Sequence, residues 1–267
     1  MLRRWFFFLF LLVALAGCQW HSDSYDSSQD HVNINIQRYD RVESQYLSMA
    51  DFAALQQLKT DFPLQTRNLI ENVLQLGPVN DPEINTRWLI YFQDSTLQAL
   101  IKDVNVQYHN LDDINRQFTM AFRRISQMLP DLDIPSIYTQ IGSLDQSIVV
   151  ADSLLGISLD KYLGTDYPAY LRYGYSQRQR SMMTRDFIVP DGLGFYLLSC
   201  YPMPQPQDST DISRQWHMSK IQYVVNRAMN RQVFHNDTIH QIEQYMKAHP
   251  QMPVDSLLRS LSWQRAE

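Results

Sequence analysis

The chain has 267 residues, 45% apolar and 19% charged, with eight glycines and a formal net charge of −5. This length allows one or two domains with a sizeable core, and the composition excludes collagen-like, disulfide-scaffold and wholly disordered chains. An acidic balance, 23 Lys and Arg against 28 Asp and Glu, argues against a nucleic-acid module.

The N-terminus carries an address. Arg3 and Arg4 precede an unbroken apolar run over 5–16. As a helix the run rises only about 18 Å, short of the roughly 30 Å hydrocarbon core, so it reads as a signal peptide over 1–17 rather than a membrane span. Leu15, Ala16, Gly17 and Cys18 then match a bacterial lipobox, in which small residues pass the peptidase and the Cys18 thiol takes the lipid. The expected mature chain is anchored to the membrane through Cys18 and carries 21 minus 28 charges, or −7. Cys200 is then the only free thiol, which excludes an intrachain disulfide. Residues 18–30, rich in Ser and Asp, predict a flexible tether ahead of a single domain over 31–267.

Val32, Ile34 and Ile36 alternate with Asn33, Asn35 and Gln37, the period-two pattern of a half-buried strand. Helical spacing follows on Phe62, Leu69, Ile70, Val73, Leu74 and Leu76, ended by Gly77 and Pro78. A short helix is predicted on Trp88, Leu89, Tyr91 and Phe92, and another on Leu97, Leu100, Ile101 and Val104. The most regular helix carries Ile114, Phe118, Ala121, Phe122, Ile125, Met128 and Leu129, opened by Asp112 or Asp113 and stopped by Pro130. Ile137, Tyr138 and Ile141, then Ile148, Val149 and Val150 beyond the turn residues 142–146, predict an antiparallel hairpin; Leu154, Ile157 and Leu159 add a third strand. Helices resume at 191–201, 213–233, 238–248 and 254–263, with Pro202, Pro204 and Pro206 in a loop. The expected fold class is α+β, a mostly α-helical single domain with a small antiparallel hairpin or sheet.

Chemistry is sparse. His21, His31, His109, His217, His235, His240 and His249 show no metal-ligand spacing, and no nucleophile elbow, P-loop or dinucleotide fingerprint is present. No metal or cofactor is expected. Cys200, among Tyr196, Leu197, Leu198 and Tyr201, reads as an inert buried thiol. Asp145, Asp152, Asp160, Asp166, Asp186 and Asp191 fall in a loop-rich section, where caps and turns account for most of them. Tyr162, Tyr167, Tyr170, Tyr173 and Tyr175, interleaved with Arg172, Arg178, Arg180 and Arg185, form either a recognition surface or a packed aromatic layer with solvated arginines. The candidate interaction surface is Asp160, Tyr162, Asp166, Tyr170, Arg172 and Arg178. Asp160, between Gly156 and Gly164, is expected to cap the helical turn that follows it; on that reading Asn is tolerated and Ala costs about 1 kcal/mol.

Several segments resemble one family in collinear order. The stretch from Val32 to Asp40, ending Arg38-Tyr39-Asp40, resembles the strand-plus-RFD opening of the gliding-motility lipoprotein GldB family of Bacteroidota. Ile134-Pro135-Ser136-Ile137-Tyr138-Thr139 is similar to its first hairpin strand, and the segment from Gly156 to Gly164 to its G-L-D-x-Y-L-G motif; Tyr170, Arg172 and Phe187-Ile188-Val189-Pro190-Asp191 follow in order. The resemblance implies an envelope lipoprotein, most naturally of the outer membrane, associated with the gliding machinery and type IX secretion. It supplies no catalytic residue. The succession of helices, hairpin and helix is also similar to a degenerate zinc-peptidase scaffold: where such enzymes place His-Glu-x-x-His, this chain has Gly192-Leu193-Gly194-Phe195-Tyr196-Leu197-Leu198, without a metal ligand. Leu261-Ser262-Trp263 resembles a mid-family segment, which implies a C-terminally short member. Two functions follow: a non-enzymatic lipoprotein acting through envelope protein partners, or an envelope hydrolase or carbohydrate-binding module using 160–172.

Replacing the lipobox thiol tests the address. Cys18→Ser is expected to abolish incorporation of a palmitate analogue and to leave the protein unlipidated; equal labelling of mutant and wild type would refute lipidation at Cys18.

Overall fold

Helices come first in the chain and a small sheet is laid against them. The computed structural model describes residues 32–203 and 210–260. The expected signal peptide, Cys18, the tether, His21, His31, Pro204, Pro206 and Leu261 to Trp263 lie outside the described residues.

Helix α1 (Tyr39–Met49) is followed by α2 (Phe52–Thr60), whose N-cap Asp51 accepts from the Ala53 N–H. Helix α3 (Pro63–Arg67) runs on into a π-helical stretch, Asn68–Val73, which buries Leu69, Ile70 and Val73. The helix predicted through Leu76 therefore stops earlier, and the chain turns with positive φ at Gln75 and at Gly77. Helices α4 (Ile84–Tyr91), α5 (Ser95–Gln107, capped by Asp94) and α6 (Asp112–Met128) follow. Helix α6 buries Ile114, Phe118, Ala121, Phe122 and Ile125, the face its spacing predicts.

The segment 32–36 is not a sheet strand. Its alternation is real, with Val32, Ile34 and Ile36 turned inward and Asn33 and Asn35 exposed. Its main chain, however, pairs with side chains of α6: Ile34 N–H donates to Thr119 Oγ1 (3.0 Å), Ile36 N–H to Asn115 Oδ1 (2.9 Å), and Arg123 Nε to the Val32 carbonyl (3.1 Å). Two residues of extended chain advance about 6.6 Å and four residues of helix about 6 Å. The two repeats match closely enough for each inward residue to meet one turn of α6. Only Gln37 reaches the sheet, as a single parallel bridge to Tyr138.

The sheet comprises β1 (Ser136–Gln140), β2 (Ile148–Ala151) and β3 (Leu154–Ser158) in the order β1-β3-β2. It is mixed, which corrects the expected antiparallel hairpin of the first two strands. Strand β3 lies between them, parallel to β1 (Tyr138 opposite Gly156) and antiparallel to β2 (Val149 opposite Gly156). The tight hairpin is β2–β3, turned at Asp152, whose φ of 49° is left-handed. Leu159 falls outside β3 and starts a 3-10 turn, Leu159–Tyr162.

Helices α7 (Pro168–Arg172) and α8 (Gln177–Arg180) cross the aromatic-rich section. They lead through a 3-10 turn to α9 (Ile188–Cys200), followed by α10 (Asp211–Met229), α11 (Asp237–Ala248) and α12 (Val254–Arg259). Helix α9 starts three residues earlier than predicted. Pro190 therefore lies in its first turn, where a missing N–H costs no helical hydrogen bond. Helix α9 packs on β2, β3, α6 and α10, and α6 packs on α10, so an α+β domain encloses one core.

Gly156 is where the sheet has no room for a side chain. A Cβ there would lie 2.5 Å from Tyr138 Oη and 2.6 Å from its Cζ, and that ring is fully buried. Gly156→Ala is expected to destabilise the fold by about 1–3 kcal/mol in chemical denaturation. Shrinking the opposing ring in the double variant Gly156→Ala/Tyr138→Leu should leave it less destabilised than the sum of the two single changes. Strict additivity would show that the contact does not limit the site.

Candidate functional site

A dense polar cluster surrounds the loop that leaves β1. Three of its N–H groups meet carboxylate oxygens: Ile141 donates to Glu43 Oε2 (2.9 Å), Gly142 to Asp160 Oδ1 (2.8 Å) and Leu144 to Asp160 Oδ2 (2.6 Å). Ser143 and Leu144 are both left-handed, with φ of 58° and 63°. Such a conformation costs a non-glycine residue about 1–3 kcal/mol, and the fixed acceptors of Asp160 offset that cost. From the other side Lys161 Nζ donates to the Leu144 carbonyl (3.1 Å) and to Tyr175 Oη (2.9 Å), which itself donates to the same carbonyl (2.8 Å).

Tyrosines close the cluster. Tyr170 Oη donates to the Asp160 carbonyl (2.6 Å) and accepts from the Leu163 N–H (2.9 Å), and Tyr108 Oη donates to the Tyr162 carbonyl. Asp40 takes both oxygens' worth of a guanidinium from Arg38 (2.8 Å each) and the Thr139 hydroxyl at 2.5 Å, while Arg38 and Arg41 also donate to the Tyr108 carbonyl. The Arg38-Tyr39-Asp40 motif thus ties α1 to β1 and to the end of α5.

Burial raises the Asp160 carboxyl, opposed by the Gly142 and Leu144 N–H groups and by Lys161. Glu43 is pushed well above the ordinary carboxylate range by burial, the charges of Asp160 and Asp40 adding to it against the Ile141 N–H. Glu43 Oε1 and Gln140 Oε1 are buried without a partner among the described residues. Burial and the neighbouring carboxyls thus shift Glu43 toward its neutral form.

The six predicted surface residues do not form one surface. Asp160, Tyr162 and Tyr170 are buried, whereas Asp166, Arg172 and Arg178 are exposed. Asp166 faces Arg180 at 3.6 Å and Arg172 donates to Thr96 Oγ1 (3.0 Å). The aromatic-layer alternative describes Tyr162 and Tyr170, and Asp160 caps a loop 16 to 18 residues upstream rather than its own turn. His217 is buried with Nε2 on the Tyr201 carbonyl (2.9 Å), and burial lowers its pKa, favouring the neutral ring. Cys200 is half-buried rather than buried, and burial raises its thiol, which disfavours the reactive thiolate. Among the described residues no group of three or more His, Cys, Asp or Glu is placed to hold a metal ion.

Asp191 belongs to the first turn of α9 and not to a loop. One of its oxygens accepts from Tyr162 Oη (3.0 Å), and burial raises its pKa to about 7. It opens on a cavity of about 160 Å³ between α9 and α10. Glu43 does not stand out in the sequence, and Asp191 is read there only as one of several turn or cap carboxylates. Their only signal is an acidic residue beside a run of core positions.

The sequence family described as gliding motility protein GldB matches residues 21–239. The chain belongs to the GldB family. No curated protein and no solved structure matches the chain. Membership makes this protein a gliding-motility lipoprotein of the cell envelope, and among the described residues no helix is long and apolar enough to cross a membrane. In this GldB chain the Arg38-Tyr39-Asp40 and Gly156 to Gly164 motifs meet in the cluster around the β1 loop, where each holds backbone.

Because both oxygens of Asp160 accept backbone N–H groups, Asn is not a neutral replacement. Asp160→Asn puts an NH2 donor against one of them and is expected to cost about 1–3 kcal/mol, with Asp160→Ala costing more. Urea denaturation measures both; an unchanged midpoint for Asp160→Asn would refute the two-acceptor role.

Proposed function

We propose that this GldB protein is a non-enzymatic lipoprotein, lipidated at Cys18 and held at the outer membrane, that serves the gliding machinery and its type IX secretion apparatus through contacts with envelope proteins. One observation carries the reading. The buried carboxyls around the β1 loop, Asp40, Glu43 and Asp160, each accept from main-chain or side-chain donors of the fold itself, and none of them lines the cavity between α9 and α10, where Asp191 is the one acidic residue. A general acid or base needs a face toward substrate, and these three carboxyls are buried and bonded within the fold.

Complementation of a deletion strain tests this. Glu43→Gln keeps an acceptor for the Ile141 N–H and is expected to melt like wild type and to restore gliding fully. A photoreactive residue at exposed positions such as Val106, Leu171 or Phe195 is expected to give defined adducts with other envelope proteins in cells. Loss of gliding in a normally folded Glu43→Gln protein would overturn the non-enzymatic role.

A further inference from the structure

The cavity between α9 and α10 has the makings of a docking site. Its walls include Pro190, Leu198, Ile221 and Phe234, and its rim carries Met182, Phe195 and Met218, which are 38%, 46% and 41% exposed. An apolar cavity of about 150 Å³ accepts a benzene-sized group, so one of about 160 Å³ accepts a single aromatic or large aliphatic side chain. Asp191 is the only acidic or basic residue among those lining it. Tyr162 Oη occupies Asp191 Oδ2 (3.0 Å), and Oδ1 has no hydrogen-bond or ion-pair partner among the described residues.

A carboxylate in apolar surroundings with one uncommitted oxygen is complementary to a cation brought in by a partner. The rim decides what kind of partner. Three large apolar side chains stand exposed around a space that holds only one side chain, so a small ligand filling the cavity leaves the rim wet. A polypeptide that inserts an anchor and lies across the rim covers both. We infer that this groove binds a segment of an envelope protein that buries one large apolar side chain between α9 and α10 and sets a neighbouring Lys or Arg on Asp191. The inference rests on the contact role proposed above and names the surface and the chemistry of the partner. The near-neutral pKa of Asp191 accords with it, since a bound cation favours the ionised form.

The test uses full-length protein purified in detergent and randomised nine-residue peptides displayed on phage. The enriched pool is expected to pair Phe, Tyr, Leu or Met with an adjacent Lys or Arg. Synthetic members of the pool should shift the methyl signals of Met182 and Met218 in spectra of methionine-labelled protein. Asp191→Asn, which keeps an acceptor for Tyr162 and should melt like wild type, is expected to weaken these peptides about tenfold while sparing versions with Gln in place of the basic residue. Enrichment without basic residues, or equal binding to Asp191→Asn, would overturn the assignment. Binding of phenethylamine as tight as that of the peptides would make this a small-molecule site instead. In-cell adducts from position 106 or 171 that persist in Phe195→Glu, with no peptide binding at the groove, would sink the groove and leave the contact role standing.

Discussion

Two buried carboxyl groups hold the main chain where β1 leaves the sheet, and the surrounding architecture is arranged about that grip. Glu43 comes from α1, Asp160 from the turn after β3, and between them they accept the N–H groups of Ile141, Gly142 and Leu144. A loop with two successive left-handed residues, one of them a buried leucine, holds its shape only if its donors are satisfied at fixed places. The parallel pairing of β1 with β3 brings Asp160 under that loop, and the same loop lets β2 approach β3 from the opposite side. The mixed sheet and the carboxyl grip therefore depend on one another.

Much of the helical framework was legible because it follows from apolar spacing. Helix α6 buries the face predicted for it, and α4, α5, α10 and α11 lie within a few residues of their expected bounds. The failures have separate causes. The alternation at 32–36 specifies that one side is buried but not what covers it, and here the cover is a helix whose Asn115, Thr119 and Arg123 reach the main chain. The hairpin was misplaced because 142–146 has turn-like composition, while the tighter turn at Asp152 needs only a left-handed φ that Asp tolerates. Helix α9 was started at 191, just after Pro190, although a first-turn proline is compatible with a helix.

The candidate site was less legible than the fold. Asp160, Tyr162 and Tyr170 were read as part of an interaction surface, but residue type does not distinguish a tyrosine that meets a partner from one whose hydroxyl closes a buried network. Tyr162 does the latter, donating to Asp191 through its hydroxyl while its carbonyl accepts from Tyr108. Glu43 was passed over and Asp191 was grouped with the turn and cap carboxylates because their significance lies in what surrounds them. Burial moves their protonation equilibria, and burial of a lone acidic residue is set by tertiary packing, not by its neighbours in the chain.

The strap formed by 32–36 has a mechanical consequence. Its three bonds to α6 pair Val32 with Arg123, Ile34 with Thr119 and Ile36 with Asn115, so the segment runs antiparallel to the helix along its length. Tension applied from the chain upstream of Val32 along that axis loads the bonds side by side, in shear, and does not peel them one after another. The rate of forced unfolding is set by the barrier along the pulling direction, and a sheared strap on the helix that buries Phe118 and Phe122 passes the force directly to the core.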